Sequence, residues 1–226
     1  MKSNKTLVMS AIALALSSTM AVAAKNTPAP ASNSDFIGDL DKSFAITSNY
    51  VWRGLSQGGS APAAQGGVTY NHDSGLSVDV WMSSSAGAPT ATPSNEFDIT
   101  VSYAMQQEKL GLEFGLASYT YPGNPGGGTG SSALELFAGI NVNNLNAYLY
   151  LDPDSDNGDN IYIEFSADIE RFNLAFGVNS NKAAAAKYNQ ITAIVALTDE
   201  MSFSVSQTDF DGAKHELALT YNIPFK

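Results

Sequence analysis

The stretch Glu216-Leu217-Ala218-Leu219-Thr220-Tyr221-Asn222-Ile223-Pro224-Phe225 decides the fold. Leu217, Leu219, Tyr221, Ile223 and Phe225 share one parity; Glu216, Ala218, Thr220, Asn222 and Pro224 share the other. A strand puts alternate residues on one face, whereas a helix would scatter these five apolar side chains round its circumference. The pattern recurs upstream. Phe97, Ile99, Val101, Tyr103 and Met105 alternate with Asp98, Thr100, Ser102 and Ala104. Leu110, Leu112, Phe114 and Leu116 alternate with Gly111, Glu113, Gly115 and Ala117, and Ile161, Ile163, Phe165 and Ile169 alternate with Tyr162, Glu164, Ser166, Asp168 and Glu170. Leu134, Leu136 and Ile140 form a similar stripe against Glu135, Phe137 and Gly139. Shorter stripes run from Leu76, Leu145, Phe172, Ile191 and Met201. Together with residues 44–53 and a glycine-weakened run at 65–70, they predict an all-β chain of about twelve strands.

The connections alternate in length. Long ones are expected at 54–64, 84–94, 122–131, 152–159, 180–187 and 208–213. Short ones fall at 71–74, 107–109, 143–144, 170–171 and 198–200. Long extracellular loops alternating with short periplasmic turns mark a transmembrane antiparallel up-and-down barrel, and six long against five short connections put both termini in the periplasm. Aromatic girdles are expected at both interfaces. Phe44, Phe172 and Phe225 are placed on the lipid face at the periplasmic end, and Tyr50, Trp52 and Phe97 on the lipid face at the outer end.

The beginning of the chain reads as an export signal. Lys2 and Lys5 precede an uncharged apolar run, and Ala21-Val22-Ala23 has the small-x-small pattern of a cleavage site. The expected domains are a signal peptide over 1–24, a flexible tail over 25–42 and the barrel over 43–226. An exported chain without cysteine is not a disulfide scaffold. A closed barrel can still span a bilayer, because it pairs every backbone group between strands. The net charge of -11 and the lack of a basic cluster argue against a nucleic-acid partner. The expected location is the outer membrane of a Gram-negative bacterium, and the expected partners are its lipid, its assembly machinery and the solutes that pass.

The segment Ser48-Asn49-Tyr50-Val51-Trp52-Arg53-Gly54-Leu55-Ser56-Gln57 resembles the S-x-Y-x-x-R-G-x-S-Q signature of the Gcw_chp family, also called TorF-type porins. The resemblance continues through Pro62, Gln65-Gly66-Gly67, His72, Gly75-Leu76, Trp81-Met82-Ser83, Glu96-Phe97-Asp98 and Tyr119-Thr120-Tyr121-Pro122. It implies a bacterial outer-membrane barrel with a porin role. It implies no catalytic residue and no particular substrate.

Residues out of phase with the apolar stripes should line the lumen. Those expected to set selectivity are Arg53, Asp79, Asp98, Glu113, Glu135, Glu164, Asp168 and Glu216. An acidic water-filled lumen attracts cations. Trp81, Tyr119, Phe137, Tyr148, Tyr150 and Tyr162 also point inward on this register, where bulky rings narrow or fill a small barrel. Asp152, Asp154, Asp156 and Asp159 resemble a calcium loop, but glycine falls at Gly158 and Ile163 stands where an EF-hand has glutamate, so a solvated acidic loop is the better reading. No cofactor motif is present, and His72 and His215 offer no triad. The function expected is passive diffusion of small hydrophilic solutes or ions, with a preference for cations and no enzymatic activity. Two alternatives remain: a plugged barrel whose outer loops bind a partner, metal or polysaccharide, and a barrel hydrolase.

Overall fold

A computed structural model describes residues 38–86, 94–122, 131–153, 160–180, 187–209 and 212–225. The expected signal peptide, most of the expected tail, and Asp154, Asp156 and Asp159 of the acidic loop lie outside the described residues. Twelve strands close into one antiparallel barrel. They are β1 (Gly38–Thr47), β4 (Ala63–His72), β5 (Leu76–Ala86), β6 (Ser94–Gln107), β7 (Leu110–Tyr121), β8 (Ser131–Val142), β9 (Leu145–Asp152), β10 (Asn160–Ile169), β11 (Phe172–Ser180), β12 (Tyr188–Ala196), β13 (Met201–Thr208) and β14 (Glu216–Asn222). Two further strands, β2 (Val51–Trp52) and β3 (Leu55–Ser56), form a separate hairpin. Each barrel strand pairs with its neighbours in sequence, and β1 closes the circle on β14.

Burial in this barrel runs opposite to that of a water-soluble sandwich. On β14, Leu217 is 53% exposed and Leu219 45%, whereas Ala218 and Thr220 between them are each 5% exposed. Ile99, Val101, Leu116, Leu136, Ile140, Phe165, Phe176 and Ile191 lie on the outside in the same way. The ladder carries this apolar face from strand to strand through pairs such as Val80↔Ile99, Val101↔Leu116 and Leu116↔Leu136. Hydrocarbon suits such an exterior, and a closed ladder pairs backbone groups between strands. The interior is mostly Thr, Ser, Asn, Gln, Asp, Glu, Ala and Tyr.

The short connections fall where the spacing predicts. Glu108, Asn143 and Glu170 take positive φ at the tight turns that join β6 to β7, β8 to β9 and β10 to β11. These define a turn end of the barrel; the long connections define a loop end.

The expected strand over 44–53 is corrected at both ends. β1 starts at Gly38, so residues 38–42 belong to the barrel and not to the tail. All ten residues of β1 pair with β4, from Gly38↔His72 to Thr47↔Ala63. The charges of Asp39, Asp41 and Lys42 hide the alternation there. At its other end β1 stops at Thr47. The chain leaves the wall at Ser48 and turns inward, with the Thr47 hydroxyl donating to the Asn49 carbonyl at 2.9 Å.

That departure shortens the closing seam to three β1–β14 pairs, Ala45↔Asn222, Ile46↔Tyr221 and Thr47↔Thr220. Left alone, the upper part of β14 would be a bare edge, which is a site for unwanted pairing. Ser48 and Asn49 cover it. The Ser48 N–H donates to the Leu219 carbonyl, and the Leu219 N–H donates to Ser48 Oγ, both at 2.9 Å. The Asn49 side-chain amide donates to the Leu217 carbonyl at 3.3 Å and to Glu216 Oε2 at 2.9 Å.

Candidate functional site: the lumen and its inward hairpin

Segment 48–62 builds the site. Val51 pairs with Ser56 and Trp52 with Leu55, leaving Arg53 and Gly54 as a two-residue turn. Both take left-handed backbone, with φ of 47° at Arg53 and 79° at Gly54, which is the type I′ geometry of a tight hairpin. Glycine suits the second position. A Cβ on Gly54 would lie 2.7 Å from Thr208 Cγ2 and 2.9 Å from Gln190 Oε1, so the tip abuts β12 and β13. Arginine at positive φ is strained by about 1–2 kcal/mol, and its side chain shows what offsets that.

Arg53 is 2% exposed and meets Glu135 of β8 in a bidentate pair, both N···O distances being 2.8 Å. Its guanidinium also lies over three rings, 4.0 Å from the Tyr162 centroid, 4.3 Å from Trp52 and 4.9 Å from Tyr150. Planar fork geometry and stacking are what arginine provides and lysine does not. Under it runs an aromatic ladder of Phe137, Tyr148, Tyr150 and Tyr162 across β8, β9 and β10, centred on Tyr150, whose ring centroid lies 5.7 Å from Phe137, 6.0 Å from Tyr148 and 5.9 Å from Tyr162. The ladder needs room: the Tyr148 ring covers Gly139, where a Cβ would come within 2.2 Å of it.

The hairpin also explains the signature motif residue by residue. Ser48 covers the seam, and Tyr50 packs on Trp81 at 5.7 Å. Ser56 Oγ donates to Asn49 Oδ1 and accepts from the Ser60 N–H, each at 2.7 Å. The Gln57 N–H donates to the Tyr50 carbonyl at 2.7 Å. The expected outer girdle is corrected accordingly. Tyr50 and Trp52 do not face lipid; Tyr50 is 5% exposed inside the lumen, and Trp52 packs edge-on to Tyr119. Arg53 points into the lumen from the hairpin rather than from a barrel strand. Phe44, Phe172 and Phe225 are exposed on the outside.

The other candidate carboxylates sit inside at different heights. Asp79 accepts from the Thr69 hydroxyl, Glu113 from Tyr148 at 2.9 Å, and Glu164 from Tyr162 at 2.7 Å. Tyr119 donates to Glu135 at 3.0 Å. Asp168 is near the turn end, held by Asn173 at 2.8 Å, and Glu216 is at the seam beside Asn49. Asp98 is 4% exposed, with one carboxylate oxygen unpartnered. Arg53 and Glu135 thus come together, while Asp168 and Glu216 stand apart from them. Asp152, at the end of β9, belongs to the loop end and not to this group.

Glu96 is a lumen residue absent from the expected set. It is 3% exposed and accepts the Tyr121 hydroxyl at 2.7 Å. Its parity with Asp98 was the available signal. Asn49, Gln190, Thr192, Ser206 and Thr208 are also buried inside. At the mouth, the Asn189 N–H and side-chain amide donate to Asp209 at 2.6 and 2.7 Å, which holds the Asp209 carboxyl below its ordinary range. His72 Nδ1 contacts Ser74 Oγ at 2.8 Å and accepts the Ser74 N–H at 3.0 Å, which closes a turn. His215 is exposed ahead of β14.

Solved structures share the architecture. A KdgM porin aligns with a TM-score of 0.52 at 9% identity, covering 82% of this chain and 99% of that one. A KdgM porin in complex with disordered oligogalacturonate aligns at 0.51 and 8% identity, covering 83% and 100%. Outer membrane phospholipase A from Escherichia coli aligns at 0.47 and 9% identity, covering 80% and 91%. The two KdgM likenesses show the fold. No curated protein matches the sequence. Residues 31–199, which include the hairpin and the first ten strands of the barrel, match the family described as "Bacterial protein of unknown function (Gcw_chp)", and the chain belongs to that family.

Proposed function

We propose that this protein is an outer-membrane channel, narrowed by its inward hairpin, that passes small cations and small hydrophilic solutes. The loop end faces the outside and both chain ends face the periplasm. One observation carries the reading. Asp79, Glu96, Asp98, Glu113 and Glu164 face a lumen whose buried arginine is already neutralised by Glu135. Uncompensated carboxylates in a low-dielectric confine raise the local cation concentration and repel anions. Oligogalacturonate, the ligand named with the KdgM porin, is a chain of uronates and therefore a polyanion. An acidic lumen disfavours it, so the shared fold does not bring that ligand to this chain.

Planar-bilayer recording of the refolded protein under a salt gradient tests the proposal. The expected reversal potential is cation-selective, and the preference weakens as salt rises, because screening shortens to about 8 Å at physiological ionic strength and further above it. Glu113→Gln with Glu164→Gln should move it towards anions. An anion-selective wild type would end the proposal. The hairpin favours a second reading, a barrel that rests plugged; silence in the wild type and in Arg53→Ala alike would select it.

A further inference from the structure

We infer that the lumen wall made by β5 and β6 holds a binding site for a hydrated divalent cation, anchored by Glu96 and Asp98 and roofed by Tyr50 of the hairpin. The site deepens the channel reading and rests on it for the route by which the ion arrives. Glu96 and Asp98 are two residues apart on β6, so both face inward, and they are 3% and 4% exposed. Asp79 lies on the adjacent strand, one inward position further along, since Trp81 pairs with Asp98 and Asp79 with Thr100.

Among the described residues no cation answers these carboxylates. Tyr121 satisfies Glu96 Oε1, but Glu96 Oε2 and Asp98 Oδ1 are buried without a hydrogen-bond partner. The one ion pair among the described residues is Arg53–Glu135, with Glu135 on β8, two strands away from β6. A second feature points at the same spot from a different element. Tyr50 is delivered by the hairpin, is 5% exposed, and its hydroxyl faces Glu96 and Asp98 while making no hydrogen bond of good geometry. Stacked carboxylates with free oxygens and no counter-charge are costly to bury, and a cation removes that cost.

The donor set is all oxygen, which suits hard cations such as Mg²⁺ and Ca²⁺. Among the described residues no three acidic or histidine side chains converge closely enough to chelate a bare ion. The ion therefore keeps part of its water shell, as Mg²⁺ prefers, and the carboxylates and Tyr50 hold it partly through water. Binding of that kind is weak enough to release, which a conducting path requires.

Terbium luminescence tests the site without relying on conduction. The chain has two tryptophans, and both lie here: Trp81 packs at a tilt against Tyr50, and Trp52 packs against the same cluster. Tryptophan-excited Tb³⁺ emission is expected from the refolded wild type, and Mg²⁺ or Ca²⁺ should displace it. Glu96→Gln with Asp98→Asn should abolish the emission, while Asp168→Asn at the turn end should leave it intact. Should the double variant not fold, Tyr50→Phe keeps both carboxylates and should weaken Tb³⁺ binding several-fold. Absence of sensitised emission in the wild type, or full emission in the folded double variant, overturns the site. Conductance of the same sample is read separately. A wild type that binds Tb³⁺ but stays silent refutes the channel and keeps the site; one that is cation-selective without emission refutes the site alone.

Discussion

Two parts of the lumen wall are built from the same alternation and end in different electrostatic states. Across β8 to β10, Arg53 is laid on the tyrosine ladder and locked to Glu135 in a neutral pair, and Glu164 accepts the Tyr162 hydroxyl. Across β5 and β6, the carboxylates of Glu96 and Asp98 have oxygens without a hydrogen-bond partner among the described residues. The strands supply the tyrosine ladder and the carboxylates, and one segment, 48–62, sets them apart: it leaves the wall at Ser48, covers one side with an arginine and presents a tyrosine hydroxyl to the other. A single inserted hairpin is enough to divide a barrel into an answered and an unanswered face.

Removing the arginine should break that division with the largest effect. Arg53→Ala leaves Glu135 buried without its partner, and breaking a buried pair costs about 3–5 kcal/mol. The expected outcomes are unfolding at lower urea concentration and a several-fold rise in single-channel conductance as the tip is released from the wall. Arg53→Lys should behave more like alanine than like wild type, because lysine cannot reproduce the bidentate contact or the stacking. Adding Glu135→Gln to Arg53→Ala should restore much of the stability while conductance stays high. Unchanged conductance in Arg53→Ala would mean that the hairpin does not narrow the path.

The barrel was legible because a wall between lipid and lumen must alternate, and residues such as Leu217 and Thr220 do so plainly. The hairpin was not, for a physical reason. Phe44, Ile46, Tyr50 and Trp52 share one parity, so period two continues straight through the point where the chain leaves the sheet. Alternation records which residues share a face, not which wall the face belongs to. The one local sign was Arg53-Gly54, a dipeptide able to take two left-handed residues between short extended runs. Residues 38–42 were obscured by charges at a strand end, where Asp41 accepts from Asn71 and stays hydrated. Glu96 lies just ahead of the apolar stripe that opens at Phe97, so the alternation does not reach it. The inward aromatics Trp81, Tyr119, Phe137, Tyr148, Tyr150 and Tyr162 follow from parity alone, yet their ladder and its arginine follow only from strand order.

A pair of adjacent substitutions sharpens the contrast between the lipid face and the unanswered wall. Val101 is 40% exposed on the outside, and Thr100 is 7% exposed inside, paired with Asp79. Arginine at Val101 meets hydrocarbon and should cost about 2–4 kcal/mol near the bilayer midplane. At Thr100 it enters beside Asp79 and Asp98, which lack a cation. Folding yield in lipid should therefore fall sharply for Val101→Arg and little for Thr100→Arg, and Thr100→Arg should also reduce cation preference. Equal yields would refute the register of β6.

The smallest effect is expected at the root of the hairpin. The tip is held by charge and stacking, but the root is held by ordinary hydrogen bonds at the seam. Ser48→Ala removes the acceptor of the Leu219 N–H and keeps the backbone bond from Ser48 to the Leu219 carbonyl. One neutral hydrogen bond is worth about 1 kcal/mol net. Because Ser48 is exposed and the three ladder pairs below it are untouched, the loss should stay near that figure and conductance should not change. Hydrogen exchange should instead locate the damage, with faster exchange at the Leu219 amide and wild-type rates at Phe203, its partner on β13. If Ser48→Ala raised conductance as Arg53→Ala is expected to, the root rather than the tip would position the hairpin. The difference between the two walls would then depend on how the barrel closes.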